Sequence, residues 1–417
     1  MPKHPLFRWS ATKPPLEFLE RREHFVPFRV DVLMERILAD RRLTSEQVTQ
    51  LQTLRTMLAA RFHFEYHEIL ESLKRDFVSF DPDRDTLEEL DCSDAELDAK
   101  CIRLNKGVKF LLDRSNFARM LPEQLDACLD LQPIGGLSVH VDKQDFSEFD
   151  VFYRGIRKKN ITESRFYLFQ RTRTTTVFSR VFILARMNKE NGGCLLAKMF
   201  KDVSVENLKI IVPKVRLGMP IFDRLKIGGT VFGSLATTIY KVVFAFMLSW
   251  WLFAIVMSGL VMATFKGIMS FLSSKTKYLH VFSSSLYFRS ISNNKAALTS
   301  LVDAAEEQEL KESLLTYFML FVLRNHDLTM EQLDKAVEGW LKEQFDWHVD
   351  FEVDDAVRKL EEKGLLFISQ GPIYKVCDLP SAMRRLDKDW DDFFPYNDAG
   401  VIEDRIADGD WPPFPKL

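Results

Sequence analysis

The chain has 417 residues, 46% of them apolar and 28% charged, which is enough to bury a sizeable core and excludes disordered, collagen-like and low-complexity classes. Its 57 Lys and Arg against 60 Asp and Glu leave a formal charge of -3, which argues against a chain built as a whole to coat nucleic acid. The five cysteines (Cys92, Cys101, Cys128, Cys194 and Cys377) are odd in number, widely spread and without a CxxC pair, so reduced thiols are expected rather than a disulfide scaffold or a structural zinc site.

The first 16 residues hold Lys3, Arg8 and Lys13 and no acid, but Pro2, Pro5, Pro14 and Pro15 oppose the amphipathic helix of an organelle-targeting segment. From Glu17 to about Leu125 the pattern is helical. Thr44 with Gln47 forms a capping box, behind which Val48, Leu51, Leu58 and Phe62 recur at helical spacing. Phe25-Val-Pro-Phe28 and Asp81-Pro-Asp-Arg-Asp85 punctuate this region. From Leu129 to Val212 the character changes to β, with expected strands at Leu137–Val141, Phe149–Tyr153, Arg165–Arg171, Phe178–Arg186 and Cys194–Phe200.

Between Lys226 and Lys275 lie 48 residues carrying only two charges, Lys241 and Lys266. One helical crossing needs about 20 residues, and a single helix of 48 would be about 72 Å long against a hydrocarbon core of about 30 Å, so two passes fit better. The flanks agree: residues 198–226 hold seven basic and three acidic groups and residues 275–295 four basic and none acidic, placing both ends on one face. The expected crossings are Leu225–Phe246 and Ser249–Leu272, joined near Met247–Trp251, with Gly229, Gly233, Gly259, Ala263 and Gly267 allowing close packing and Lys241 snorkelling from near the turn. The competing reading is one crossing from Val242 to Phe265 preceded by a re-entrant or surface helix.

After this segment a long helix is expected over Asn294–Arg324. Next comes a helix capped by Thr329 and Gln332 with Leu333, Val337, Trp340 and Leu341 on one face, and then one carrying Val353, Ala356, Val357 and Leu360 that stops at Gly364. Two short apolar runs, Leu365–Ile368 and Ile373–Cys377, complete a winged-helix-like order. Residues 308–377 hold 8 basic and 14 acidic side chains, so protein contact is the expected use of this module and no nucleic acid is expected.

Few residues promise chemistry. His63 and His67 in Phe62-His-Phe-Glu-Tyr-His-Glu68 are four apart, a spacing at which two imidazoles share a helix face and can ligate one metal, with Glu68, Asp81 or Asp83 as a third ligand. The Asp81, Asp83, Asp85 run fails as a calcium loop because Thr86 stands at the glycine position and Cys92 at the glutamate position. No phosphate loop, GxSxG or other catalytic motif occurs, and no cofactor is expected.

Arg22–Phe28, Phe62–Leu70, Asp81–Thr86, Met199–Asp202, Val215-Arg216 with Asp223–Leu225, Ser285–Phe288 with Ser292–Asn294, and Glu306–Glu309, taken in order, resemble the transmembrane protein 143 family. The resemblance implies a membrane protein with two closely spaced helices between soluble regions, in the bacterial cytoplasmic membrane or the mitochondrial inner membrane, and carries no established activity.

The expected fold is thus an α+β membrane protein: an N-terminal extension (1–16), a helical region (17–128), a small α+β region (129–224), a transmembrane helical hairpin (225–272), a helical and winged-helix-like region (275–394) and a C-terminal tail (395–417). The expected function is a two-pass anchored scaffold or adaptor in contact with the bilayer and with a protein partner or its own copies. Its rivals are an oligomeric channel or transporter component and a metal-dependent membrane enzyme using His63 and His67.

Overall fold

A computed structural model of the chain describes residues 24–83, 93–131, 138–140, 145–165, 169–188, 194–213, 216–218, 286–369 and 373–392, with residue 19 and scattered helical positions between 251 and 283. The helices are α1 (Val30–Leu38), α2 (Ser45–Phe77), α3 (Asp94–Arg114), α4 (Pro122–Asp130), α5 (Leu208–Ile211), α6 (Asn294–Val322), α7 (Met330–Phe345), α8 (Val353–Glu362) and α9 (Leu379–Asp391). The strands are β1 (Ala118–Arg119), β2 (Ser138–His140), β3 (Phe146–Arg165), β4 (Phe169–Met187), β5 (Leu195–Ser204), β6 (Arg216–Gly218), β7 (Ser290–Asn293), β8 (Leu366–Ser369) and β9 (Ile373–Val376). They fall into two interleaved units, one made of residues 1–21, 77–91 and 118–297, the other of residues 22–76, 92–117 and 298–417.

The first unit is built on an antiparallel sheet in the order β1-β3-β4-β5-β7, beside a small β2-β6 pair. Tyr153, Val181 and Phe200 face one another across three strands. They join Val151, Phe178, Ile183 and Val203 in a buried cluster closed by Met120, Leu125 and Cys128 on one side of the chain and Leu208 and Ile211 on another. Each such aliphatic or aromatic side chain contributes about 1.5–3 kcal/mol by leaving water. The separate strands expected at Phe149–Tyr153, Arg165–Arg171 and Phe178–Arg186 are in fact two strands of 20 and 19 residues. Arg165–Arg171 spans the end of one and the start of the next. Continuous pairing from Phe146↔Met187 to Arg165↔Phe169 overrides the polar Lys-Lys-Asn and Thr-rich stretches that looked like strand ends.

The second unit is largely helical. The Thr44 capping box forms, Gln47 N–H donating to Thr44 Oγ1 at 3.3 Å and Thr44 N–H to Gln47 Oε1 at 2.9 Å. It opens the 33-residue α2, whose Leu51, Leu54, Leu58, Phe62, Tyr66, Leu70 and Leu73 form one buried stripe. Ser93 with Glu96 caps α3 and Thr329 with Gln332 caps α7 in the same reciprocal way. Gly364, at φ +66°, ends α8 and turns the chain into the antiparallel β8-β9 pair.

The membrane expectation is corrected here. Among the described residues no helix is long and apolar enough to cross a membrane. Helices α2, α3 and α6 have the length, but charges run through each of them, as Asp303, Glu306, Glu309, Lys311 and Glu312 do through α6. The described residues form an α+β fold with a five-stranded antiparallel sheet. The α+β membrane-protein fold, the two-pass scaffold, the channel and membrane-enzyme alternatives, and the bacterial or mitochondrial inner-membrane location are therefore not supported. The expected first crossing, the turn apart from Trp251, Gly229, Gly233 and Lys241 lie outside the described residues, as does most of the second crossing.

Candidate functional site

In the helical unit, charge is concentrated where apolar packing would be expected. Helix α6 is buried almost all round at Leu310, Leu314, Leu315, Tyr317 and Phe318, and Glu309 and Glu312, one turn apart, are buried with them, 2% and 3% exposed. Helix α8 brings Asp355 and Lys359 to the same place at i,i+4 spacing. The Lys359 ammonium sits among three carboxylates, 2.6 Å from Glu309 Oε2 and 3.1 Å from Glu312 Oε2, and it also pairs with Asp355. Arg114, at the end of α3, donates to both Asp355 oxygens at 2.6 and 2.7 Å, and Arg358 pairs with Asp355 as well. Glu312 Oε1 accepts from Gln308 Nε2 at 2.9 Å and from Asn116 Nδ2 at 3.0 Å.

These environments push Glu309 and Asp355 apart. Burial raises the Glu309 carboxyl to about 7, with Glu312 adding to the rise and Lys359 and Arg114 opposing it. Burial would raise Asp355 too, but Lys359, Arg114 and Arg358 outweigh it and hold this carboxyl well below the usual range. Desolvation would lower the Lys359 ammonium, yet Glu312, Glu309 and Asp355 prevail and keep it charged above its ordinary range. The Tyr66 phenol of α2 is raised by burial and then by the neighbouring Glu309. Glu309 is thus the member of the cluster that exchanges its proton near neutrality.

Glu309, Arg114, Lys359 and Tyr66 line a cavity of about 590 Å³, whose apolar wall includes Phe62, Ile69 and Phe110. Arg103, bonded to Asp76 at 2.7 and 3.0 Å, and Lys363, bonded to Glu65 at 2.9 and 3.0 Å, belong to a charged wall that also holds Arg61, Arg75, Arg358 and Asp389. Glu309 Oε1 is buried and has no hydrogen-bond partner, with Arg114 Nη1 3.5 Å away. The oxygens of Glu309, Glu312 and Asp355 lie close enough together to hold a cation. Lys359 already supplies one, and a metal ion would have to expel its ammonium.

The residues expected from sequence lie elsewhere in this unit. His63 and His67 are exposed on α2, their ring centroids 6.2 Å apart, and His63 Nδ1 meets Glu306 Oε2 at 3.0 Å beside a second cavity of about 380 Å³. Among the described residues, the three-carboxylate group above is the one set with metal-ligand proximity, and it includes neither histidine. Glu68 lines the larger cavity, while Asp81 and Asp83 belong to the sheet unit, where Asp83 N–H closes an Asx turn on Asp81 at 3.0 Å. Glu309, Glu312, Asp355, Lys359 and Arg114 were not singled out as a site. The available signal was charge directly beside the apolar second half of α6.

A family model described as a protein of unknown function, DUF3754, matches residues 178–296. That stretch takes in β5, β7 and most of β4, and ends before Glu309. The resemblance to the transmembrane protein 143 family is corrected by this finding, because the match is to DUF3754 and nothing found supports the other family. No solved structure matches the chain.

Proposed function

We propose that the helical unit is a receptor for a small organic molecule, whose polar end hydrogen-bonds to Glu309 and whose apolar body lies along Phe62, Ile69 and Phe110. The observation that carries this reading is the buried Glu309 Oε1 in the wall of the cavity, which makes no close hydrogen bond and has only Arg114 Nη1 at 3.5 Å and the Tyr66 phenol beside it. A buried acceptor left without a donor costs about 1–3 kcal/mol, which a ligand N–H or O–H recovers. The volume, about 590 Å³, is that of a typical small-molecule pocket, and its lining is mostly charged, with Phe62, Ile69 and Phe110 as the apolar part.

The proton on Glu309 sets the pH response. A donor ligand needs the ionised carboxylate, so its binding tightens as pH rises through about 7. The test is native mass spectrometry of the full chain incubated with a library of small amines, alcohols and acids. One molecule per chain should be retained, with retention lost in Phe110→Trp, which adds bulk on the cavity's apolar wall, and made independent of pH in Glu309→Gln. If no compound is retained, or if Phe110→Trp retains it as well as the parent chain does, the receptor reading is wrong.

A further inference from the structure

The sheet unit carries a second accumulation of charge, of one sign. Arg154 on β3 is paired in register with Arg180 on β4, and Arg180 with Lys201 on β5, so three cations stand side by side across three strands. Directly opposed like charges destabilise a sheet. Arg289 extends the row, one residue before Ser290, which pairs with Phe200. Arg157 and Lys159 approach from further along β3, reaching Asp202 at 2.9 and 3.5 Å. Asp202 is the one carboxylate in the group, held at φ +50°, an uncommon conformation for a residue with a side chain.

Leaving Arg154 aside, the five cations Arg180, Lys201, Arg289, Arg157 and Lys159 around the Asp202 carboxylate leave four more positive than negative charges among these six side chains on adjacent strands. Arg289 Nη1 is buried and has no hydrogen-bond partner. Both Arg180 and Arg289 are lowered from the usual guanidinium range, in each case first by burial and against the pull of Asp202, with Arg157 adding to the effect on Arg180. A sheet that concentrates like charge, buries part of it and leaves a donor unmade is destabilised until an anion arrives.

We propose that Arg154, Arg180, Lys201 and Arg289 form a binding site for a phosphate-bearing ligand, separate from the Glu309 cavity. A multiply charged tetrahedral anion suits it, because guanidinium forks present paired N–H donors to phosphate oxygens and several cations are needed to match more than one negative charge. The phosphate belongs either to a free oligophosphate or to a lipid headgroup, sources with the same recognition chemistry.

The experiment uses the full chain in two arms. Inorganic tripolyphosphate is titrated by calorimetry, and flotation is measured with phosphatidylcholine vesicles with and without phosphatidic acid. Binding in the first arm assigns the free anion, binding in the second alone assigns the headgroup, and either supports the site. In Arg180→Gln/Arg289→Gln the affinity should fall at least about tenfold, the loss expected when charge-assisted hydrogen bonds are removed. Thermal stability should hold or rise, since like-charge repulsion across the strands is relieved. Should the double variant misfold, exposed Lys201→Gln must still weaken binding several-fold. Absence of binding in both arms, or undiminished binding by the variants, overturns the proposal.

Discussion

Replacing Lys359 by Met removes the cation shared by three carboxylates while keeping an unbranched apolar stem. Asp355 retains Arg114 and Arg358, and Glu312 retains Gln308 and Asn116, so Glu309 loses most, keeping only Arg114 Nη1 at 3.5 Å and the Tyr66 phenol. One uncompensated buried charge costs about 3–5 kcal/mol. Glu309 escapes this cost by taking up a proton, which gives the variant a pH signature. Its folded pKa, about 7 in the parent chain, lies above the unfolded one, so the native state holds the extra proton and stability falls as pH rises between the two values. The fall stops near pH 7 in the parent but continues upward in the variant, where the opposing Lys359 charge is gone, at up to about 1.4 kcal/mol per pH unit. Urea unfolding at about pH 6, 7 and 9 should therefore show a gap between the two proteins that widens with pH. Glu309→Leu in the Lys359→Met background should recover stability, with a coupling energy of at least about 1 kcal/mol. A gap below about 1 kcal/mol, or one that does not change with pH, would refute the assignment of Lys359 as the cluster's neutralising charge.

Two further substitutions probe backbone and capping. Gly155 sits at φ +75°, and a Cβ there would lie 2.5 Å from Ser179 Oγ, the hydroxyl that donates to Gly155 O at 2.8 Å. Gly155→Ala should destabilise the chain by more than about 1 kcal/mol in chemical denaturation, and Ser179→Ala should relieve only part of it because the dihedral penalty stays. Thr329→Ala removes the acceptor for Gln332 N–H at the start of α7 and should cost about 1 kcal/mol, read as a lower urea midpoint with an unchanged slope.

The helical unit was legible where local chemistry decides the outcome. The Thr44 and Thr329 boxes, the stripe from Leu51 to Phe62 and the stop at Gly364 each follow from one or two residues, and each is present. Helix α9 was missed although Asp378 and Pro380 mark its start in the usual way, with Asp378 Oδ2 accepting from Ser381 N–H at 3.4 Å. The cluster was not legible for a different reason. Glu309 with Glu312, and Asp355 with Lys359, have the spacing of solvated surface pairs, and only the packing of α3, α6 and α8 turns them into buried ones. The cationic row in the sheet was hidden likewise, since Arg154, Arg180 and Lys201 meet through strand register, which one sequence does not display. The long apolar stretch drew attention by composition alone, and the described helices do not supply the crossing it implied.

The interleaving of the two units constrains how the molecule is made. Arg114 and Asp355 are bonded across 241 residues of chain, and the carboxy-terminal part of the unit that holds α1, α2 and α3 begins only at residue 298. During synthesis the apolar stripe of α2 therefore leaves the ribosome with α3 close behind it but long before the carboxy-terminal helices of its unit, while the sheet strands from β3 to β5 can pair as soon as they emerge. A premature stop before α6 would thus strand the amino-terminal helices as well as deleting the carboxy-terminal ones. The nascent chain is exposed to aggregation for more than half its length, which makes it a client for holding chaperones even though each finished unit has its own core.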